Sequence, residues 1–576
     1  MAKIRLKGSE TVIRCLEEFG VDTVFAYPGG QAIDLHQALS RSKKIRVILP
    51  RHEQGGAFAA NGYARASGRV GVAMATSGPG AANLVSGIAD AYMDSVPTVF
   101  ITGQVSSRMI GKNVFQETDI IGVTRPIVKH SFLVLDVEEL PVIMRRAFEI
   151  AASGRPGPVL VDVPKNIQQA FCEFDPSEQK PVPEPPILPR KSDIEQFRRM
   201  LAESERPCLC LGGGIISSGA SAAAVRFAEQ YRLPVVTTLM GIGSIPDSHE
   251  LSLRWLGMHG TVAANRAANE SDLFIAMGAR FDDRVTGKAD LFAAKAKIVH
   301  VDIDDTEINK NKHADLGILA DVGKVLEELN REPVLKDRTP WLAKIAEWKK
   351  KFPFSFERRP RHLQAQHVIK TLSRMTGGKA VIVPGVGQHQ MWSAQFYDYG
   401  FPRQLLTSGG LGAMGFGLPA AMGAKAACPE QLVINIDGDG SFQMNIQELG
   451  TLAVEGLDVK MMIMDNLHLG MVAQWEDMFY EHHRGNTLLG RARGGCPEGL
   501  PEKRNTPFPD FVTIASGYGI PGRHVWKEEE LEEAIGEMLS TPGSFLLDLH
   551  TPYECGVLPI IPPGKDYRSI VTEYEE

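Results

Sequence analysis

The stretch Gly438-Asp439-Gly440-Ser441-Phe442-Gln443-Met444-Asn445 is followed, 27 residues after Asp439, by Asn466. The preceding run 432–436 predicts a buried strand, residues 446–455 predict a helix, and residues 459–464 predict the next strand. In such a βαβ unit the strands are parallel, and their carboxyl ends meet at one edge of the sheet. We therefore expect Asp439 and Asn466 to project into one site.

The two side chains also indicate a ligand. A carboxylate and an amide oxygen suit Mg²⁺, which prefers hard oxygen ligands and completes its shell with water and phosphate oxygens. The flanking glycines let the backbone approach an anion closely. The sequence therefore predicts a magnesium-bridged diphosphate. A lone Gly-Asp-Gly triplet is more often a solvated turn, so the inference depends on the spacing to Asn466.

The full pattern resembles the signature of thiamine diphosphate (ThDP) enzymes. In that family the Asp, the Asn and a backbone carbonyl two residues beyond the Asn bind the metal. The resemblance implies Asp439, Asn466 and the carbonyl of His468 as ligands, with the imidazole of His468 not involved. The family more often has Asn where Asp465 stands, a difference that leaves the ligand itself intact.

The bulk composition excludes several other classes. A chain of 576 residues with 43% apolar content predicts three or four domains of about 150 residues each. The formal net charge of −7 gives no basic surface for nucleic acid. No apolar run approaches the about 18 residues that span a bilayer, and the first residues lack the apolar centre of a signal peptide. We expect no membrane partner and a cytoplasmic protein, or an organellar one after transit-peptide removal. The seven scattered cysteines do not indicate a disulfide framework, and Cys208 and Cys210 fit a core strand.

Strands and helices alternate in three blocks, which predicts an α/β fold of three doubly wound parallel sheets. We assign residues 1–175 to a pyrimidine-binding domain, 191–335 to a central FAD-binding domain and 366–576 to a diphosphate-binding domain; the three ligand assignments follow from the resemblance. Six prolines between residues 175 and 190 predict an extended linker. A charged stretch, 331–361, joins the second and third blocks.

Glu53 stands where the strand 46–49 gives way to a helix in the first block. A carboxylate at that position is favoured by the helix dipole and could simply cap the helix. Its companions favour a functional role, because the motifs at 27–30, 77–83, 94–97 and 115–117 also lie at strand-to-helix junctions. Together they resemble the pyrimidine-binding domain of ThDP enzymes, in which the Glu hydrogen-bonds the pyrimidine ring. A carboxylate there stabilises the imino tautomer, so the cofactor performs the hard chemistry while the protein supplies orientation and charge. By this resemblance the catalytic residues are Gly30, Glu53, Phe115, Gln116 and Lys165, and Pro28 and Asn83 join Glu53 in binding ThDP.

The segments 386–392 and 408–415 resemble the acetohydroxyacid synthase (acetolactate synthase) version of the diphosphate domain. That resemblance places Met414 as an apolar wedge between the cofactor rings, although an ordinary packed side chain remains an alternative. Pro384-Gly385 stands where the family usually has Thr or Ser and Asp. The implied ThDP contacts in this half are Val386, Gly387, Gln388, His389, Gly412, Met414, Gly438, Asp439, Gly440, Ser441, Asn466, Gly470, Met471 and Val472.

The middle block carries the run Arg280 to Gly287, which is similar to the FAD segment of anabolic acetohydroxyacid synthases. There the first Arg holds FAD and the second meets the acceptor keto acid, which implies Arg280 and Arg284. Asp302 at a strand end fits hydrogen bonding to a ribose hydroxyl. The triplet 212–214 by itself could be only a tight turn. The implied FAD residues are Arg155, Gly212, Gly213, Gly214, Thr237, Leu239, Leu256, Met258, His259, Gly278, Arg280, Asp282, Arg284, Asp302, Ile303, Asp321 and Val322.

The resemblance covers nearly the whole chain and implies an acetolactate synthase catalytic subunit that uses ThDP, Mg²⁺ and FAD. Such an enzyme decarboxylates pyruvate and ligates the two-carbon unit to pyruvate or 2-ketobutyrate in branched-chain amino-acid synthesis. Its substrate pocket would include Arg284, Met471, Val472 and Trp475. Because the family binds ThDP between subunits, we expect a homodimer or homotetramer, with a small regulatory subunit left open.

The sequence leaves three other functions to consider. A pyruvate oxidase-type flavoenzyme is the alternative within the same class. A non-catalytic cofactor-binding protein conflicts with the joint presence of Glu53, Asp439 and Asn466, and glyoxylate carboligase lacks the Glu. Two departures bear on the shape of the pocket: the segment 485–509 is longer than expected for the family, and Gln31 stands where a small residue is usual.

Overall fold

Three parallel sheets organise the chain. The computed structural model describes residues 3–178, 180–333, 336–358, 362–490 and 508–573. Of the long segment 485–509, residues 491–507 lie outside the described part. The predicted fold class, α/β with three doubly wound parallel sheets, is confirmed.

The N-terminal domain contains a six-stranded parallel sheet of order β3-β2-β4-β5-β7-β6 and a small antiparallel pair, β1 and β8. Its strands are β1 Ile4–Lys7, β2 Thr23–Ala26, β3 Arg46–Ile48, β4 Gly71–Ala75, β5 Thr98–Gln104, β6 His130–Leu133, β7 Pro158–Pro164 and β8 Phe171–Phe174. Its helices are α1 Gly8–Glu18, α2 Ile33–Leu39, α3 Glu53–Ser67, α4 Pro79–Asn83, α5 Val85–Met93, α6 Ile120–Thr124, α7 Leu140–Ala152 and α8 Lys165–Gln169.

The central domain contains a six-stranded parallel sheet of order β11-β10-β9-β12-β13-β14. Its strands are β9 Pro207–Leu211, β10 Val235–Thr237, β11 Ser252–Trp255, β12 Leu273–Met277, β13 Lys297–Asp302 and β14 Leu316–Leu319. Its helices are α9 Lys191–Glu203, α10 Gly213–Ser217, α11 Ser221–Tyr231, α12 Val262–Glu270, α13 Asp283–Thr286, α14 Val322–Arg331 and α15 Thr339–Lys351. Cys208 and Cys210 are buried in one of its cores, as expected.

The C-terminal domain contains a five-stranded parallel sheet of order β15-β16-β17-β19-β18. Its strands are β15 Val381–Pro384, β16 Val433–Gly438, β17 Val459–Asp465, β18 Gly522–Val525 and β19 Phe545–His550. Its helices are α16 Ala365–Met375, α17 Gln388–Phe396, α18 Gly417–Ala427, α19 Asp439–Gln443, α20 Leu449–Glu455, α21 Gly470–Phe479, α22 Phe511–Gly517 and α23 Leu531–Ser540.

The N-terminal and C-terminal domains share one hydrophobic core, which joins α3 to α18. Glycines allow these helices to approach closely. A Cβ on Gly62 would lie 2.1 Å from the carbonyl oxygen of Ala420, and a Cβ on Gly423 would lie 1.9 Å from that of Ala59. The contact fixes α3, which begins at Glu53, against the C-terminal domain.

Two predicted helices differ from the structure. The sequence also predicts one helix over residues 81–92, which the structure divides at Leu84 into α4 and α5, and the expected helix 446–455 begins with a 3₁₀ turn before α20. Among the described residues, we find no helix with both the length and the apolarity that a bilayer crossing requires.

Candidate active site

The metal motif lies at the carboxyl edge of the C-terminal sheet. Gly438 of β16 pairs in register with Met464 of β17, so Asp439 and Asn466 leave neighbouring strands at the same edge. The Asp439 carboxylate accepts hydrogen bonds from the backbone N–H of Leu467, at 2.6 Å, and of Gly440, at 2.8 Å. Both ligand candidates are buried. The structure therefore brings together the two oxygen donors that the sequence placed in one site.

The His468 side chain stabilises the loop that follows β17. Its Nδ1 lies 2.7 Å from the carbonyl oxygen of Asn466, and its ring stacks on Tyr553 with centroids 4.5 Å apart. Burial lowers the pKa of His468, which keeps the ring neutral. The imidazole is thus engaged in the loop, and the role of the His468 carbonyl as a metal ligand stays a prediction.

Glycines and helix N-termini surround this edge. A Cβ on Gly387 would lie 2.8 Å from Cε1 of His389, and one on Gly438 would lie 2.7 Å from its Nδ1. A Cβ on Gly470 would lie 2.2 Å from Oε1 of Gln388. Helices α17 and α21 both begin here, and helix N-termini favour bound anions. The buried Nε2 of His389 makes no hydrogen bond within the described part of the chain, and it lies 3.4 Å from Oδ1 of the buried Asp437.

The remaining predicted ThDP contacts in this half surround the same edge. The Ser441 hydroxyl accepts from the backbone N–H of Gly415, at 3.1 Å. A Cβ on Gly440 would lie 3.6 Å from Cε of Met414, and one on Gly412 would lie 3.9 Å from Val386. In the first turn of α21, Met471 is half-buried and Val472 is exposed.

Glu53 lies at the corresponding edge of the N-terminal sheet. The Asn83 amide donates to Oε2 of Glu53 at 2.9 Å. A Cβ on Gly80 would lie 3.1 Å from Oε1, so the glycine leaves space beside the second oxygen. The cap of α3 is His52, whose side chain accepts from the backbone N–H of Gln54. The alternative in which Glu53 caps its helix is therefore wrong.

Three further predicted residues meet beside this junction. The Lys165 ammonium donates to the carbonyl oxygen of Gly30 at 3.2 Å, and a Cβ on Gly30 would lie 3.9 Å from Oε1 of Gln116. Gln116 has a positive φ of 61°. Phe115 is 84% exposed, and Pro28, just after β2, is also exposed. The edge thus combines an ammonium, an amide and an uncovered aromatic ring.

Glu448 is a residue that sequence reasoning missed. Its carboxylate accepts from the backbone N–H of Arg51, at 3.0 and 3.1 Å, and of His52, at 3.1 Å, so the C-terminal domain reaches the loop that carries Glu53. Burial raises the pKa of Glu448. In the sequence this Glu has the pattern of an ordinary helical surface residue, and no local signal marks it.

The central sheet offers a crevice where its strand order reverses, between β9 and β12. A Cβ on Gly212 would lie 2.0 Å from the carbonyl oxygen of Gly278, and one on Gly214 would lie 2.7 Å from its Cα. Gly213 stands between them, and Gly278 itself has a φ of 59°. The two loops can fold against each other only without side chains, which explains the triplet 212–214.

The other predicted flavin residues divide into three groups. Asp282 and Asp321 cap helices α13 and α14. The side chains of Leu256 and Val322 are buried in hydrophobic cores, which leaves only their backbone for a ligand. The rest lie at or just after the carboxyl ends of central strands or, for Arg155, on the N-terminal domain: Arg155, Thr237, Leu239, Met258, His259, Arg280, Asp302 and Ile303.

Burial shifts the pKa values of two of the predicted flavin residues. It raises the pKa of Asp302 to about 6, and with the nearby charge of Arg284 it lowers the pKa of His259 to about 4. Arg155 donates to Asp304 at 3.2 Å and to Glu307 at 2.7 Å, so it links the N-terminal and central domains.

Arg284 and Trp475 meet across the boundary between the central and C-terminal domains. The guanidinium carbon of Arg284 lies 5.9 Å from the centroid of the indole, within the range of cation–π contacts. The Arg284 side chain is 57% exposed, and Trp475 is half-buried. Two of the four residues predicted for the substrate pocket are thus neighbours, and a charged group lies over a flat apolar surface.

The fold and this site define the class of thiamine pyrophosphate enzymes, thiamine pyrophosphate being another name for ThDP. The models of the N-terminal TPP binding domain, the thiamine pyrophosphate enzyme central domain and the C-terminal TPP binding domain match residues 6–123, 194–329 and 385–549. The chain is 52% identical to acetolactate synthase 3, chloroplastic, of Brassica napus, over 98% of the chain and 87% of that protein. It is 52% identical to acetolactate synthase, chloroplastic, of Arabidopsis thaliana (98% and 84%) and 51% identical to acetolactate synthase 1, chloroplastic, of Nicotiana tabacum (98% and 85%). The chain belongs to the acetolactate synthase family.

Proposed function

We propose that the protein is a catalytically active acetolactate synthase that uses pyruvate both as donor and as acceptor, and 2-ketobutyrate as a second acceptor. The observation that carries the proposal is that one chain holds both the Asp439–Asn466 edge and the Glu53–Asn83 junction. A protein without catalytic activity would not require the Glu53 carboxylate or the space that Gly80 leaves beside it. The relatives at 51–52% identity are synthases, which favours this function over that of a pyruvate oxidase.

The residues of the C-terminal edge fit a diphosphate held by Mg²⁺. Asp439, Asn466 and the carbonyl of His468 would ligate the ion, and Gly387, Gly438 and Gly470 leave the space that side chains would fill. The N-termini of α17 and α21 and the buried Nε2 of His389 supply donors for phosphate oxygens. ThDP, when bound, supplies the carbanion chemistry that releases CO₂ from pyruvate.

Glu53 would act on the other end of the cofactor. Asn83 holds one carboxylate oxygen, which leaves the oxygen beside Gly80 to accept a hydrogen bond from the pyrimidine ring. A negative charge at that point favours the proton on the ring nitrogen and so the imino form of the base. Gly30, Gln116 and Lys165 would orient the keto acid.

We assign FAD to the crevice between β9 and β12. The glycines there keep the crevice free of side chains, and Asp302 can bind a ribose hydroxyl. Arg280 and Arg155 would meet the phosphate groups. Arg284 and Trp475 would bind the acceptor, the guanidinium pairing with its carboxylate and the indole facing its alkyl group.

We infer a homodimer or homotetramer, located in the cytoplasm. Phe115 beside the N-terminal edge, and Leu411 and Met444 near the C-terminal edge, are large apolar side chains that are 84%, 42% and 52% exposed. The apolar surface exposed at both half-sites is suited to an interface with a second copy of the chain. Sedimentation at several concentrations tests the assembly, and fractionation of cells tests the location.

Product identity tests the proposed activity. The purified chain is incubated with pyruvate, alone and with 2-ketobutyrate, in the presence and absence of ThDP, Mg²⁺ and FAD. We expect 2-acetolactate, and with 2-ketobutyrate also 2-aceto-2-hydroxybutyrate, without oxygen uptake. Oxygen consumption coupled to loss of pyruvate would instead identify an oxidase.

A further inference from the structure

Three side chains of metal-ligating type converge on one face of the C-terminal sheet, beside β17: His550 pairs in register with Asp465, the residue before Asn466. His524 lies on β18 and pairs in register with Asp548 of β19, and His550 follows Asp548 by two residues, so all three side chains share a face. We propose that His524, Asp548 and His550 form a binding site for a divalent transition-metal ion, with Zn²⁺ as the preferred occupant.

The spacing of the donor atoms supports this. Nδ1 of His524 lies 3.1 Å from Oδ2 of Asp548 and 3.2 Å from Nε2 of His550, and Nε2 of His550 lies 3.5 Å from the same Oδ2. Ligands bound to tetrahedral Zn²⁺ at about 2.0–2.1 Å are about 3.3–3.4 Å apart. The three atoms thus have the separations of three corners of a zinc tetrahedron.

The second nitrogen of each imidazole faces a carboxylate. Nε2 of His524 lies 3.3 Å from Oδ1 of Asp510, and Nδ1 of His550 lies 3.8 Å from Oδ2 of Asp465. Histidines that bind metals almost always donate their other N–H to such a group, which fixes the tautomer and directs the remaining lone pair at the ion. His524 therefore has such an outer partner within hydrogen-bond distance, and for His550 the Asp465 carboxylate lies just beyond that distance.

The site is rigid and open on one side. Trp526 stacks on His550 with ring centroids 3.4 Å apart and an interplanar angle of 14°. The side chains of Asp548 and His550 are each 1% exposed, while that of His524 is 33% exposed. An ion can reach the donors from the side of His524, and solvent can supply a fourth ligand.

The donor set separates this site from the proposed Mg²⁺ site. Imidazole nitrogens suit Zn²⁺ and other transition ions, whereas Mg²⁺ selects oxygen. The ligands of the proposed Zn²⁺ site lie on β18 and β19, whereas Asn466 of the Mg²⁺ site follows β17. The two sites should therefore take different metals at the same time.

Zinc titration of the full-length chain tests the inference. The protein is stripped with a chelator and then saturated with ThDP, FAD and Mg²⁺, so that the oxygen site is filled. Zn²⁺ is added in competition with a chromophoric chelator, and Co²⁺ in a parallel sample reports tetrahedral coordination by its visible absorption. We expect one Zn²⁺ per chain and an intense Co²⁺ band.

Variants locate the ion. His524→Ala and Asp548→Asn should each weaken Zn²⁺ binding by at least about 100-fold. Asp510→Asn should weaken it by about 10–100-fold, as for other outer partners, while Asn still caps α22. The control His130→Ala removes an exposed histidine from β6 and should change nothing. Because His524 is partly exposed, its variant should keep the fold, which circular dichroism checks.

Two results would overturn the proposal. One is the absence of stoichiometric Zn²⁺ binding while Mg²⁺ is saturating. The other is binding that survives both His524→Ala and Asp548→Asn. An NMR titration with and without Zn²⁺ gives a further check. If the two histidines take up protons and bind no Zn²⁺, the cluster is a pair of histidines that shares a proton and the proposal is wrong.

Discussion

Replacing Glu53 by Gln tests the proposed chemistry most directly, because it removes a charge and leaves the local contacts in place. The side-chain carbonyl of Gln can still accept a hydrogen bond from Asn83, whose amide lies 2.9 Å from Oε2 of Glu53 in the wild type. The space beside Gly80 still accommodates the side-chain NH₂ group. A hydrogen bond to a charged group contributes about 1.5–3 kcal/mol and a neutral one about 0.5–1.5 kcal/mol, so the stability loss should be about 1 kcal/mol. The melting temperature should therefore fall by only a few degrees.

The effect on turnover should be far larger. A positioned proton-transfer group contributes about 10²–10⁴-fold, which corresponds to about 2.7–5.4 kcal/mol of the activation barrier. Acetolactate formation is measured at saturating pyruvate, with ThDP binding by calorimetry and unfolding by scanning calorimetry. Glu10→Gln, in the first turn of α1, is the matched control and should have wild-type activity. Near-normal turnover in Glu53→Gln would refute the role of the carboxylate.

Three other expectations follow from the same contacts. Asp439→Ala should abolish tight ThDP binding, because the diphosphate would lose its ligated cation; unchanged affinity by calorimetry with Mg²⁺ present would contradict the metal assignment. Trp475→Leu should lower the ratio of acetohydroxybutyrate to acetolactate by about 10-fold or more, because contact with one methylene contributes about 1–3 kcal/mol. Arg284→Ala should instead slow both ligations, because both acceptors carry the carboxylate. An unchanged product ratio for Trp475→Leu in competition assays would exclude the indole from acceptor choice. Burial raises the pKa of Asp162 to about 7, so its contribution favours the folded state below about pH 4 and is lost as the pH rises through about 7. The Asp162→Asn variant should lack that decline, so the difference in unfolding free energy between wild type and variant should change between about pH 4 and 7. Parallel pH profiles of the two proteins would contradict it.

The parts of the fold that the sequence predicts are those buried on both faces. Central strands of parallel sheets are nearly continuous apolar runs, and β16 and β17 lie within two residues of the bounds predicted for them, 432–436 and 459–464. The strands that were not predicted within these parallel sheets, β6, β11, β14 and β18, all lie at sheet edges, where apolar runs are short and interrupted.

The candidate site divides in the same way. The proximity of Asp439 and Asn466 is predictable because chain connectivity alone places the ends of consecutive parallel strands together. The contact of Glu448 with Arg51 spans 397 residues and depends on how two domains pack, which no local pattern contains. His524 and His550 were not recognised as a pair, because the strand that carries His524 was itself not predicted.

The shared core has a consequence for how the site forms. Backbone contacts at Gly62 and Gly423 fix α3 against α18, and Glu448 ties the Glu53 loop to the same body. The two half-sites of one chain therefore cannot move toward each other by a hinge between these helices without breaking close-packed contacts. If a second copy covers these edges, as we infer, the complete active site forms when two rigid surfaces associate. The entropy cost of ordering the site is then part of the free energy of association, to which the apolar side chains exposed at both edges contribute.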